Sequence, residues 1–267
     1  MAITTLDGAI SGAQPRVPYT KIGITMAAIG GMRAYNPRYA SGNPGPATAP
    51  AAGINGAAVS GPGTQLLRAN PATGFAYVNG LDFCPTTAGT LWLIDRLWEN
   101  SALSVTSIAA QAITPAVLPA RDRSATTNGV DVMAAIEWLT TGGAGTPGVT
   151  LTYTDQTGAT GRTATYTGVT TPPVGTFEIF APAAASGGVR APTSFIQSTT
   201  RTSGTISLVL FRPIMALPCS LANVGAALDF LTGGSQRVYD NASLEPIWFP
   251  SSTTATNMLG GYSETQG

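Results

Sequence analysis

Histidine is absent from the 267 residues, and Lys21 is the single lysine. The first absence removes the side chain that most often serves as general base near neutral pH and as metal ligand. Charge of either sign is scarce: thirteen basic and thirteen acidic residues make up 10% of the chain and cancel. A nucleic-acid-binding surface needs a concentrated positive field, so no nucleic-acid partner is expected. Cysteine is limited to Cys84 and Cys219, with no CxxC pair and no Cys/His group, which argues against zinc. The chain begins without a basic stretch followed by an apolar one, so two buried thiols fit better than a single disulfide. No apolar run approaches the roughly 18 residues of a membrane-crossing helix, and no membrane partner is expected.

Thirty-two glycines and twenty prolines divide what remains into short segments. Pro37, Pro44, Pro46 and Pro50 exclude a regular helix or a central strand near them, and Ala47 to Gly63 is rich in small residues. Residues 1–65 therefore read as an irregular, extended N-terminal arm, with one short apolar run at Ile22 to Ile29. Residues 66–267 read as the body. There Phe75–Val78 is a strand ending at the turn pair Asn79-Gly80. Thr90–Trp98 is a buried strand with a bend at Asp95-Arg96, and Leu103–Ile108 continues as a strand by its alternation. Val130–Thr140 fits a strand or a helix by pattern, and the flanking Asn-Gly and Gly-Gly pairs favour a strand. Val149–Thr154 and Arg162–Val169 form a hairpin with a Thr face. Thr176–Phe180, Val189–Ser198 and Thr205–Arg212 follow as strands, the last stopped by Pro213. Asn223–Leu231 is the best helix candidate, with an Asn cap and Gly233-Gly234 behind it. Pro246–Pro250 is a final aromatic strand. Frequent short strands and almost no helix predict an all-β, antiparallel β-sandwich of jelly-roll type. Trp92, Leu93, Trp98, Trp138 and Leu208 are expected in its core.

Chemistry-bearing patterns are thin. Gly142–Gly148 resembles a phosphate loop but lacks the Gly-Lys-Ser/Thr ending and opens no helix. Asp82, Asp95, Glu99, Asp122, Asp131, Glu137 and Glu178 are the acid–base candidates, scattered over different segments with no motif joining them. A serine nucleophile would depend on Lys21 as its base. Asp155 to Gly158 is a weak calcium loop, and Asn241-Ala-Ser243 matches a glycosylation acceptor of chance length. The four tryptophans read as core, with a sugar-stacking platform as the sharper alternative. No catalytic residue, cofactor or metal is expected. Twelve of the thirteen basic residues are arginine, a bias that suits interfaces and that a GC-rich coding sequence also produces. Near-zero net charge favours association. Arg33, Tyr35, Arg38 and Tyr39 are the candidate interface residues, because aromatic and arginine side chains dominate interface energetics.

Several stretches resemble a family of tailed-bacteriophage virion proteins. They are Thr86–Trp98, Val105–Ile113, Leu151–Ala164, Gly188-Val-Arg190, Ser203–Pro213 and Ile247–Ala255, spanning roughly residues 80–267. These motifs carry lineage and no catalytic group. The resemblance implies a non-enzymatic component of the particle, assembled in the bacterial host cytoplasm. A head decoration (cement) protein bound to the major capsid protein fits best, as a homo-oligomer, trimer before dimer. A head-to-tail or tail component, or a carbohydrate-binding receptor tip, is the alternative.

Overall fold

A computed structural model describes residues 5–60, 69–114 and 116–267, and its strand pairings are all antiparallel. In chain order the strands are β1 (Val17–Ile24), β2 (Arg33–Tyr35), β3 (Ser41–Asn43), β4 (Ala57–Ala58), β5 (Ala76–Pro85) and β6 (Gly89–Asn100). Then come β7 (Gln111–Ala112), β8 (Met133–Trp138), β9 (Gly148–Asp155), β10 (Arg162–Thr167), β11 (Thr176–Ile179) and β12 (Val189–Gln197). The last are β13 (Ile206–Cys219), β14 (Ala226–Leu228), β15 (Gln236–Val238), β16 (Leu244–Pro250) and β17 (Thr256–Gln266). Two short helices, α1 (Leu6–Ser11) and α2 (Phe230–Gly233), and a 3-10 turn at Pro37–Tyr39 complete the described elements. The proposed 65/66 boundary and the loop proline Pro115 lie outside the described residues.

The all-β, antiparallel expectation holds, but the middle layer closes on itself. Strands β13-β8-β11-β2-β16-β6 pair in that order, and β6 pairs back to β13, giving a closed six-stranded barrel. Closure is possible because β6 and β13 are long and bulged, with register shifts opposite Leu97 and between Pro213 and Met215. The shift at Leu97 is the bend foreseen at Asp95-Arg96. Pro213 does not stop β13. It sits beyond the part of the strand that pairs with β8, at a bulge, where a missing N–H costs no ladder bond on that side.

Two sheets flank the barrel. One has the order β14-β5-β17-β1-β3, with β15 also on β5; the other is β10-β9-β12-β7. Three apolar clusters result. Tyr19, Val78, Leu81, Phe83 and Met258 of the first sheet pack on Leu91, Leu93, Leu244 and Trp248 of the barrel wall. Leu151, Tyr153, Ala164 and Phe195 of the second pack on Trp98, Ile136, Trp138 and Leu208. Ala34, Ile94, Phe177, Val209, Phe211 and Ile247 fill the bore. Trp92, expected in the core, is half-buried against Phe249, with ring centroids 4.6 Å apart.

The N-terminal region is a correction to the arm reading. β1 lies between β17 and β3, and β2 lies between β11 and β16 inside the closed barrel. Only residues 44–60 keep the expected character: they run extended over the surface, with none of them buried. Other departures are local. β5 runs straight through Asn79-Gly80, which sits beside a bulge opposite Ser263 and Glu264 rather than in a turn. Leu103–Ile108 forms a single bridge, Ser104 to Thr205, and no strand. Asn223 has a left-handed φ of 58° and cannot begin a helix there. Its segment becomes β14 and the one-turn α2, capped by Asp229 in a capping box with Thr232.

Lys21, fully buried on β1, holds the following loop in place. Its ammonium donates to the carbonyl oxygens of Pro44 (2.8 Å), Ala40 (3.0 Å), Gly45 (3.2 Å) and Arg38 (3.4 Å). Burial draws its pKa down to about 8. Replacing Lys21 by methionine keeps the stem and removes a donor from four carbonyls, of which Arg38 keeps the Ala47 N–H. A loss of about 2 kcal/mol is expected from unsatisfied buried acceptors, read from urea midpoints. An unchanged midpoint would mean that water serves those carbonyls as well.

Candidate functional site

The barrel bore is apolar at one end and ionic at the other. On β6, Trp92, Ile94 and Arg96 point inward; on β8, Glu137 follows Met133 and Ala135; on β16, Glu245 precedes Ile247 and Phe249. Arg96 is the hub. Its Nη2 is 2.7 Å from Glu137 Oε2 and 3.1 Å from Glu245 Oε2, its Nε is 3.2 Å from Glu245 Oε1, and its Nη1 reaches Glu99 at 3.2 Å. Arg38 adds a contact of 3.0 Å to Glu245 and one of 3.7 Å to Glu137. The Asn36 amide donates to both carboxylates, at 2.9 and 2.8 Å. Burial alone would raise the Glu245 carboxyl, but the Arg96 and Arg38 guanidiniums bring it down to about 2.

Every acid–base candidate read from the sequence has its own partner. Asp82 meets Arg16, Asp131 meets Arg123, and Asp95 meets Arg121 at 3.3 Å while accepting from the Ser243 N–H. Glu178 accepts from Trp138 Nε1 and the Val169 N–H, both at 2.9 Å, with Arg33 at 3.7 Å. Asp122 accepts from its own loop: the N–H groups of Ser124, Thr126, Gly129 and Val130 and the Thr126 hydroxyl. Asp155 is spent in the same way. The Thr157 hydroxyl at 2.6 Å, backbone N–H groups and Arg162 hold it at about 2. Its carboxylate is therefore turned into its own turn rather than toward a bound cation. Among the described residues no three Cys, Asp or Glu side chains gather as a metal site.

The four residues expected at an interface do come together, on β2 and the turn after it, but the chain uses them internally. Tyr35 is buried and its hydroxyl bonds the backbone of Ala27 and Ala28. Arg38 lies inside the ionic end of the bore, with its guanidinium 4.9 Å from the Tyr39 ring centroid. Arg33 is half-buried against Glu178 and the Thr167 carbonyl. Arg33, Tyr35 and Arg38 belong to the barrel wall or its filling, and Tyr39 sits half-buried on the 3-10 turn beside Arg38. Trp98, Trp138 and Trp248 are buried, which leaves Trp92 as the one partly accessible tryptophan. Cys84 and Cys219 are free thiols, and burial pushes Cys219 up to about 11.

One stretch of the exterior is small and neutral. Residues 44–60 carry no charge and are fastened from below by backbone bonds, Ala47 N–H to Arg38 at 2.8 Å and Val59 N–H to Leu97 at 2.9 Å. The first sheet also carries an open groove of about 510 Å³ lined by Arg16, Asp82, Cys84, Ala226, Ala227 and Leu259. Fold and surface together define an all-β protein built on a closed six-stranded barrel between two sheets. Comparison with known proteins finds no matching family, curated protein or solved structure.

Proposed function

We propose that this chain is a non-enzymatic structural component of a tailed-phage particle, a head decoration protein that packs against the capsid shell. One observation carries the reading. The buried carboxylates Glu137, Glu178 and Glu245 are held by internal partners, and residues 44–60 form an ordered exterior stretch without charge. Catalysis needs titratable groups in reach of a ligand; packing needs shape and dehydratable surface. The virion-like segments of the sequence support the same role. The burial of three of the four tryptophans weakens the receptor-tip alternative.

The test is particle composition. Heads and tails purified separately from the encoding phage should show the chain on heads in fixed ratio to the major capsid protein. Ala52→Glu, which places a charge on the exposed run, should lower occupancy several-fold with an unchanged melting temperature. Finding the chain with tails would assign it to the tail instead. Its absence from both fractions would remove the structural role.

A further inference from the structure

Most buried charges of the described residues meet an opposite charge or several hydrogen-bond partners, but Arg212 and Arg237 form a group without an ion pair. Arg237 lies flat between two rings, its Cζ 3.8 Å from the Phe75 centroid and 4.7 Å from the Tyr239 centroid. Arg212 sits 5.0 Å from the Tyr239 ring, so rings and guanidiniums alternate: Phe75, Arg237, Tyr239, Arg212. Arg212 is 6% exposed and its Nη2 donates to the Arg237 carbonyl at 3.1 Å, while its Nε has no partner. Among the described residues Arg237 makes no ion pair or side-chain hydrogen bond, and its buried Nε is unsatisfied. Two of the carboxylates nearby are spent: Asp95 is held by Arg121 and the Ser243 N–H, and Asp122 by its own loop. Asp240 lines the same cavity and is exposed, with no ion pair to Arg237. A cavity of about 370 Å³ opens beside this stack, lined by Phe75, Arg121, Arg237, Tyr239 and Asn241 among others.

A guanidinium between two aromatic faces has given up water on both faces and keeps its edge donors. Such a donor fork matches a planar carboxylate with two parallel bonds. An unpaired, partly dehydrated cation is costly to leave as it is, so an occupant that supplies the missing charge gains more here than on an open surface.

We propose that this cavity receives an acidic side chain, aspartate or glutamate, of the partner protein, gripped by Arg237 with Phe75 and Tyr239 as walls. The identity of the occupant rests on the docking role proposed above; the anion site itself does not. The test therefore uses the soluble full chain and small probes: N-acetylglutamate amide, acetate and inorganic phosphate, followed by NMR at the Arg237 Nε–H and the Tyr239 amide. Both carboxylates should shift these signals saturably. Arg237→Gln should weaken binding at least tenfold, as expected for loss of a charged hydrogen-bond pair. Arg237→Lys should recover part of it, and Arg190→Gln, an exposed arginine on β12 in the other sheet, should change nothing. Tyr239→Leu keeps the charge and removes one wall, and weaker binding is expected there too, which covers the case of an unfolded Arg237→Gln. Binding that survives Arg237→Gln or Tyr239→Leu, binding of phosphate without the carboxylates, or no binding at all would overturn the proposal. These outcomes are independent of whether the chain is found on heads.

Discussion

Deletion of residues 1–60 is expected to abolish cooperative folding of the rest of the chain. The deletion removes β2, and with it the rung that joins β11 to β16 in the closed barrel. It removes β1, leaving β17 unpaired along one edge, and with it the fully buried Tyr19 and Lys21. It also takes Asn36 and Arg38 from Glu137 and Glu245, so two buried carboxylates keep Arg96 alone. An opened barrel exposes unpaired edges and apolar wall on both sides. The truncated protein should lose its near-ultraviolet circular dichroism and show no heat-absorption peak in calorimetry. A sharp transition near that of the intact chain would mean that the barrel closes without β2.

Replacing Arg96 by methionine is expected to cost about 3–5 kcal/mol, the range for breaking a buried ion pair by removing one member. Methionine fills much of the space but leaves two buried carboxylates, Glu137 and Glu245, with Arg38 as their one cation and the Asn36 amide as a shared donor. The pH dependence separates this from a simple packing defect. In the native chain Glu245 is held at about 2 against an ordinary 4.5. Its contribution is complete above pH 4.5 and is lost as pH falls from 4.5 toward 2. In the variant Glu245 keeps Arg38 and the Asn36 amide but loses Arg96, the larger of its two cationic partners, so its pKa moves up toward the ordinary value. Less of the variant's stability then depends on ionised Glu245, and less is lost as the carboxyl is protonated. The gap between native and variant in urea melts should thus narrow as pH falls below about 4.5. A gap that stays constant over that range would show that lost packing, not charge, sets the cost.

Much of the body was legible in the sequence because local pattern and final environment agree there. The Thr-alternating hairpin β9–β10 and the strands β8, β11, β12 and β16 fall where alternation and turn residues placed them. The failures share a cause, which is that distant contacts decide what local pattern cannot. β17 reads as polar and Gly-rich, yet it is the centre of its sheet. A Cβ on Gly260 would lie 2.1 Å from the Asp82 carbonyl oxygen and 2.6 Å from the Phe83 ring, so its glycines serve a close approach that only the fold reveals. The arm reading failed because β2 is three residues long, too short for any periodicity. For the ionic end of the bore, the carboxylates were visible as candidates, but nothing local joins Arg38, Arg96, Glu137 and Glu245. Inward-facing charge on otherwise apolar strands was the available signal. The Arg237 stack is spread from Phe75 to Tyr239, and only the pairing of β15 with β5 joins its ends.

The closing seam of the barrel also sets the order of events during synthesis. β2 ends at Tyr35, and its neighbour β16 begins at Leu244. At about 5–20 residues added per second, β2 waits roughly 10–40 s for its partner. β1 waits longer for β17, which begins at Thr256. Over that interval β1 has only β3 beside it, β2 gains β11 before β16, and Glu245 is not yet there to meet Arg96. Folding dominated by such remote pairings is slow even once the chain is whole. The barrel therefore closes in a single late step, once the last strands have arrived.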